Sequence, residues 1–457
     1  MTRLGIATAT GAFAVIALTC ATPAVAQEAH ARGTDPLGPL VAEALLNNAS
    51  LAAERAAEVG AAARVREARA LYLPSLTLDA RYSEQNGTVN LGDFVNPAYT
   101  ALNELTGTQR FPTDLDLTLP LRHESRLRLA QPVFNEAIRG NHAAARHLHE
   151  AQRQQRRAAS RRLAAEVQVA YLNVAAARSA VAIYESTLCL VTENERVAQR
   201  LVDAGQATPE VLFRARAERS DVEQQLAEST ERVGAAARVL NQLVGRPLDA
   251  PLDSVPESSL VRALPIDEAA ALAHALEHRE ELEQLDAGAR AADAGVRVAT
   301  AAFLPSVSVA LDYGYQGREV SFSGDQDFVV ASLVVSWNLF NGGGDGARRQ
   351  IARAEADRLR AQRRDAEERV RLDVRQSYEA AAVAHSAIET ASDRLAAARR
   401  TFELVQRRYD EAVATHIEFV DARTALTNAE LNHSLTKYRY AMRIVDLERA
   451  AALRVID

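Results

Sequence analysis

Four short stretches of the chain alternate apolar and polar side chains residue by residue. In 74–83, Leu76, Leu78, Ala80 and Tyr82 alternate with Ser75, Thr77, Asp79 and Arg81. In 122–134, Leu127 and Leu129 alternate with Arg126 and Arg128. In 305–316, Val307, Val309, Leu311, Tyr313 and Tyr315 alternate with Ser306, Ser308, Ala310 and Asp312. In 327–340, Leu333, Val335, Trp337 and Leu339 alternate with Ser332, Ser336 and Asn338. A period of two puts the two sets on opposite faces of a strand. Strands of about ten residues with one apolar and one polar face suit a membrane β-barrel, lipid outside and water inside. A soluble sheet with one buried face has the same pattern. On the barrel reading Leu76, Leu78, Tyr82, Val307, Val309, Tyr313 and Trp337 face lipid.

The rest of the chain reads as helix. No proline occurs between Val133 and Thr208, and none follows Pro305. These tracts are rich in Ala, Arg, Glu, Gln and Leu, which have high helix propensity. They predict one long helix over about 136–204 and a twin over about 345–411. At about 1.5 Å per residue each spans roughly 100 Å, which calls for coiled-coil packing. Each long helix ends in a tight turn, "DAGQATPEV" from Asp203 and "DEAVATHIEF" from Asp410, and return helices are expected over 209–244 and 415–455. In the first turn Gly205 suits a left-handed cap, and Thr208-Pro209 suits a helix start. The second has Ala412 at the glycine position.

The two halves are copies. "ALYLPSLTLDARY" at Ala70 matches "AAFLPSVSVALDY" at Ala301 across 231 positions without a gap. Ala44 faces Ala275, Leu51 faces Leu282, and Leu73-Pro74-Ser75 faces Leu304-Pro305-Ser306. Beyond the strands the spacing falls to about 207, so that Tyr171 matches Tyr378. The first copy therefore carries an insertion of about 24 residues between Tyr82 and Leu121. Its Asn, Gly, Thr and Asp content reads as a loop. The expected domains are a first repeat over 27–244, a connector over 245–265 and a second repeat over 266–457.

Arg3, the apolar run Leu4–Leu18 and Ala24-Val25-Ala26 form an export signal over 1–26. Cys20 is preceded by Thr19 and Ala17, a poor lipid-attachment site, so plain cleavage is expected. Cys189 is then a lone cysteine and forms no internal disulfide. No later stretch has about 18 unbroken apolar residues, the length a membrane helix needs. The net charge is −7, and Lys437 is the only lysine. Arginines are interleaved with acids, which disfavours a nucleic-acid partner.

The export signal and the lack of a globular core around four strands tilt the choice toward a barrel. Four strands cannot close one, because the smallest membrane barrels have about eight. An open edge in lipid would leave backbone groups unpaired at several kcal/mol each. Two chains would give eight strands and three would give twelve; counting does not choose.

No enzyme site stands out. His147 and His149 in "HLHE" lie two apart on a helix and lack metal-ligand spacing. "NGGGDG" at Asn341 lacks the lysine of a phosphate loop; it reads as a strand-to-helix junction with Asp345 as helix cap. Neither a cofactor nor a metal is expected.

The chain resembles the TolC-like outer-membrane efflux channels. The resemblance rests on "LPSL" and "LPSV" after Ala-rich helices, "LFNGG" at Leu339, both helical turns and "RRYDEAVATHIEFVDARTAL" from Arg407. It covers almost all of the mature chain. It implies a mainly α fold with a membrane part, a homotrimer with a twelve-strand barrel in outer-membrane lipid above an α-helical periplasmic tunnel. It implies a passive duct of a tripartite efflux or type I secretion system, partnered by a periplasmic adaptor (membrane fusion) protein and an inner-membrane transporter. The hairpin loops 83–120 and about 317–326 would face outside. The docking tips would comprise Gly205, Gln206, Thr208, Ala412, Ala414 and Thr415, with a constriction at Glu418 and Asp421 near Tyr409. Glu418 and Asp421, three apart on a helix, share a face and would stack two acidic rings in a trimer. A solvated helix face is an equally simple reading of that pair. A secreted or periplasmic coiled-coil protein without a pore is the alternative for the whole chain.

Overall fold

The computed structural model describes residues 37–84, 90–116, 122–254, 256, 262–317, 326–411 and 413–454. The expected export signal with Cys20, most of the second hairpin loop and Ala412 lie outside the described residues.

Each half starts with a broken helix. α1 (Gly38–Asn47) gives way to α2 (Ala49–Ala70) at Asn48, whose side chain accepts the amides of Ser50 at 3.0 Å and Leu51 at 3.2 Å. In the second half α6 (Glu268–His278) gives way to α7 (Glu280–Ala301) at Arg279. Asn48 and Arg279 are 231 positions apart and do the same work. Asn48 Nδ2 donates to the Leu243 carbonyl at 2.9 Å, and an Arg279 guanidinium nitrogen donates to the Ala450 carbonyl at 2.9 Å. Both acceptors lie in the last turn of a return helix, where carbonyls lack intrahelical partners.

Strands follow where proline stops the helix. Leu73 and Leu304 close the final turns onto Ala70 and Ala301, and Pro74 and Pro305 have no amide with which to continue. β1 (Ser75–Tyr82), β2 (His123–Phe134), β3 (Ser306–Gly317) and β4 (Asp327–Ser336) form one antiparallel sheet in the order β1-β2-β3-β4. The long helices α4 (Glu136–Asp203) and α8 (Gly344–Asp410) have 68 and 67 residues, about 100 Å each. α5 (Pro209–Val244) and α9 (His416–Ala450) return along them. α7 packs on both α4 and α8, α2 packs on α4, and α9 bridges α8 and α4.

The core is one cluster built twice. Ala44, Leu51, Leu163, Val167, Val174 and Leu240 in the first half correspond to Ala275, Leu282, Val370, Val374, Ala381 and Leu447 in the second. α9 supplies Tyr438 to the first cluster and Tyr440 to the second, which locks the halves together.

The fold differs from the sequence reading in several places. The inserted loop contains a helix, α3 (Gly92–Thr106). Its Asn96 and Asn103 each exchange two hydrogen bonds with the returning backbone, at Leu115 and Phe111, so local pairing outweighs the loop-like composition. β4 stops at Ser336, so Trp337 lies just beyond the strand, its indole donating to the Phe303 carbonyl at 3.2 Å. Asp345 is not the cap of α8. The cap is Gly343, and Asp345 instead accepts from Asn338 at 2.6 Å and Arg348 at 3.1 Å. α9 ends at Ala450 rather than near 455. By length and composition α4 contains a stretch apolar enough to cross a membrane, where the sequence shows no unbroken run. In this fold α4 packs against α9 through Ser179–Ser434 and Thr187–Thr427 hydrogen bonds.

The return helices end alike. Gly245 (φ +81°) and Ala452 (φ +56°) take the left-handed conformation, and the next amides, of Arg246 and Leu453, bond Asn241 and Glu448 carbonyls at 2.9 Å. The side chain of Ala452 disfavours that conformation by about 1–2 kcal/mol. Ala452→Gly is expected to stabilise the protein by roughly 1 kcal/mol in denaturant melts. Gly245→Ala is expected to destabilise it by more, since its Cβ would also meet Asn47 at 3.0 Å.

Candidate functional site

The sheet separates its faces cleanly on three strands. Across the strands Leu76 pairs with Leu129 and Leu129 with Leu311; Leu78 pairs with Leu127, Leu127 with Tyr313 and Tyr313 with Val329. Directly paired residues share a face. Val309 pairs with Leu333 and Val307 with Val335 on the same side. This face is open in the single chain, with Leu76 63% and Leu78 72% exposed. The other face is charged. Arg128 holds Asp312 by two hydrogen bonds of 2.7 and 2.9 Å, and Arg126 lies 3.8 Å from Asp79. β4 departs from the pattern, because Val330 and Val334 stand on the charged side opposite Asp312 and Ser308.

At the far end of the long helices lie two turns. After α4, Gly205 is left-handed (φ +68°), with its amide on the Val202 carbonyl at 2.9 Å and the Gln206 amide on Leu201 at 2.8 Å. The second turn repeats the longer bond, from the Val413 amide to the Arg408 carbonyl at 2.7 Å. Gly205, Gln206, Thr208 and Thr415 are exposed. Ala414 is buried, with its amide on Arg408, and so presents no surface at the tip of this chain.

Glu418 closes a capping box at the start of α9. The Glu418 amide donates to the Thr415 hydroxyl at 3.2 Å, and the Glu418 carboxylate accepts from the Thr415 amide at 2.7 Å and its hydroxyl at 2.9 Å. These bonds hold the Glu418 carboxyl below the usual carboxylate range. Asp421 is exposed on the same side of α9, one turn on.

Tyr409 is placed apart from that acidic face. Its ring stacks on Phe419 at 4.8 Å, and its hydroxyl meets His416 Nδ1 at 3.3 Å. Burial, then the nearby Asp410 and Glu218 charges, raise the Tyr409 pKa. Phe402, Phe419 and Ala422 form the small core beneath it, joined by Leu190 of α4. The structure therefore brings Glu418 and Asp421 together and puts Tyr409 inside the hairpin packing.

Two residues at this end escaped the sequence reading. Arg423 of α9 binds Glu218 of α5, Nε to Oε1 at 2.6 Å, with both side chains buried. They are 205 residues apart and each lies in a densely charged tract, so no local pattern marks the pair. The pair ties the return helix of the first repeat to that of the second.

No curated protein matches the chain by sequence. Solved structures do match its fold. CusC, described in connection with folding and transmembrane channel formation, superposes with a TM-score of 0.76 at 19% identity, covering 91% of each chain. The outer membrane protein VceC of Vibrio cholerae gives 0.72 at 19% identity, over 91% of this chain and 95% of that one. The MtrE outer membrane channel of Neisseria gonorrhoeae gives 0.73 at 20% identity, over 91% and 89%. The family model for outer membrane efflux proteins matches residues 40–246 and 271–453, which takes in both halves and every element from the strands to the two turns. The chain belongs to the outer membrane efflux protein family.

Proposed function

We propose that three copies of the chain close a twelve-strand barrel in the outer membrane and that their long helices continue it as a periplasmic tunnel. The protein is then the passive exit duct of a tripartite efflux or type I secretion system. An inner-membrane transporter supplies the energy and a periplasmic adaptor contacts the tips. The observation that carries this reading is a sheet with two edges unpaired among the described residues, β1 and β4, one apolar face and one charged face, hung from helices about 100 Å long. The apolar face suits lipid and the charged face suits a water-filled lumen. In this arrangement Leu76, Leu78, Tyr82, Val307, Val309 and Tyr313 face lipid, and Trp337 sits at the rim where tryptophan is favoured. Fractionation followed by an unheated gel tests it. A detergent-extracted trimer is expected, and a soluble periplasmic monomer would overturn the proposal.

Glu418 and Asp421 line the narrow periplasmic end as two stacked acidic rings. The lowered Glu418 pKa has a defined sign. Its contribution to stability is fully present above the unfolded carboxylate value and is lost as pH falls through the lower folded value. Glu418→Gln keeps a side chain that can complete the capping box but removes the charge. Combined with Asp421→Asn, it is expected to lower cation selectivity in planar-bilayer recordings while the trimer survives. Unchanged selectivity and conductance would assign both acids to a solvated helix face.

Gly205, Gln206, Thr208 and Thr415 form the exposed docking tips. A Cβ on Gly205 meets no atom within 4 Å, so a larger residue there projects outward, at a cost of about 1–2 kcal/mol for the left-handed backbone. Gly205→Arg is expected to abolish export in cells while unheated gels still show the trimer. Export at the normal rate would place the adaptor contact elsewhere.

A further inference from the structure

A groove of about 740 Å³ crosses α4 between α2 and α7. Arg66, Arg146, Arg290, His147 and His149 line it, and the acid among them is Glu150. Glu150 is already occupied, accepting from Arg153 at 2.7 Å and from Gln154 at 2.8 Å. Several arginines nearby have acidic partners: Arg156 binds Glu58, Arg161 binds Glu280, and Arg360 binds Asp293. Among the described residues Arg66, Arg146 and Arg290 have none within the 4.0 Å of an ion pair.

The charges converge on one place. Burial lowers the pKa of His147, and Arg290, Arg146 and Arg297 each push it the same way, against the weaker opposing pull of Glu150. The concentration is also one-sided. The other side of α4 carries Ala144, Leu148 and Ala151 facing Gly60 of α2, with Arg64 as the one arginine beside them. Like charges so placed repel. A bound anion removes the repulsion.

We infer that this groove binds a phosphate-type anion. Guanidinium groups present paired donors that match phosphate oxygens, and a neutral His147 can add one N–H. Two sources offer that chemistry, a lipid headgroup and a soluble phosphorylated solute. Arg146 lies ten residues into α4, so the groove sits about 15 Å from the strand-to-helix junction. The headgroup layer is only about 5–8 Å deep, which favours a soluble ligand.

The test uses the full-length, detergent-extracted protein and inorganic pyrophosphate as probe. Calorimetric titration at fixed ionic strength is expected to show saturable binding. Arg146→Gln combined with Arg290→Gln is expected to weaken it at least about tenfold, each lost guanidinium removing a charge-assisted bond. Arg358→Gln, which loses only a surface pair with Glu355, should bind as the wild type does. No binding by the wild type, or equal binding by the double variant with its fold intact on an unheated gel, would overturn the inference. Repeating the titration in nanodiscs with and without phosphatidylglycerol separates the sources. Competition by the lipid assigns the groove to headgroups, and indifference assigns it to a soluble anion. Neither readout depends on conduction, so failure here leaves the duct reading standing.

Discussion

Backbone hydrogen bonding along two strand edges governs this molecule. The described sheet leaves one side of β1 and one side of β4 unpaired. In water such edges invite association, and in lipid each unpaired group costs several kcal/mol. Closing the sheet with further copies satisfies them all. The register then matters, because slipping one residue would exchange the leucine face for the Arg128–Asp312 face. The cross-strand charge pairs resist that slip from one side and the leucine and tyrosine pairs from the other.

Duplication lets one solution serve twice, and the places where the copies diverge show what is required. The buried positions keep their small or branched apolar character: Val167 and Val374, Leu240 and Leu447 are all fully buried. The helix break is kept even though Asn48 has become Arg279, because either side chain can reach a carbonyl in the last turn of the return helix. What persists is a hydrogen bond to an otherwise orphaned carbonyl, and the residue type is free to change around it. Gly245 and Ala452 extend the point to the backbone, where the turn is retained at a conformational cost.

Much of this was legible in the sequence because periodic signals are local. The strands could be read from alternation, the long helices from missing proline, and the repeat from the paired "LPSL" and "LPSV" segments. Features that depend on distant partners could not. α3 was hidden by its turn-forming residues, yet Asn96 and Asn103 bind backbone 19 and 8 residues away and hold the insertion in a fixed shape. Asp345 sits at a natural cap position, but Asn338 and Arg348 take its carboxylate. At the tip, Glu418 was read only as an acid, although Thr415-His416-Ile417-Glu418 carries the S/T-x-x-E spacing of the capping box that the fold shows.

The Arg423–Glu218 pair shows why such hidden contacts matter. A buried ion pair is a poor source of stability, since desolvating both charges cancels most of their attraction. This one is not even fully satisfied, because Glu218 Oε2 has no hydrogen-bond partner among the described residues. An apolar pair of similar size would fill the same space at less risk. What an ion pair adds is a penalty of about 3–5 kcal/mol for separating one partner from the other. Here that penalty opposes independent motion of α5 and α9, the return helices of the two repeats. The pair therefore couples the two tips of each chain. A load on one of them is passed to the acidic face carried by the other.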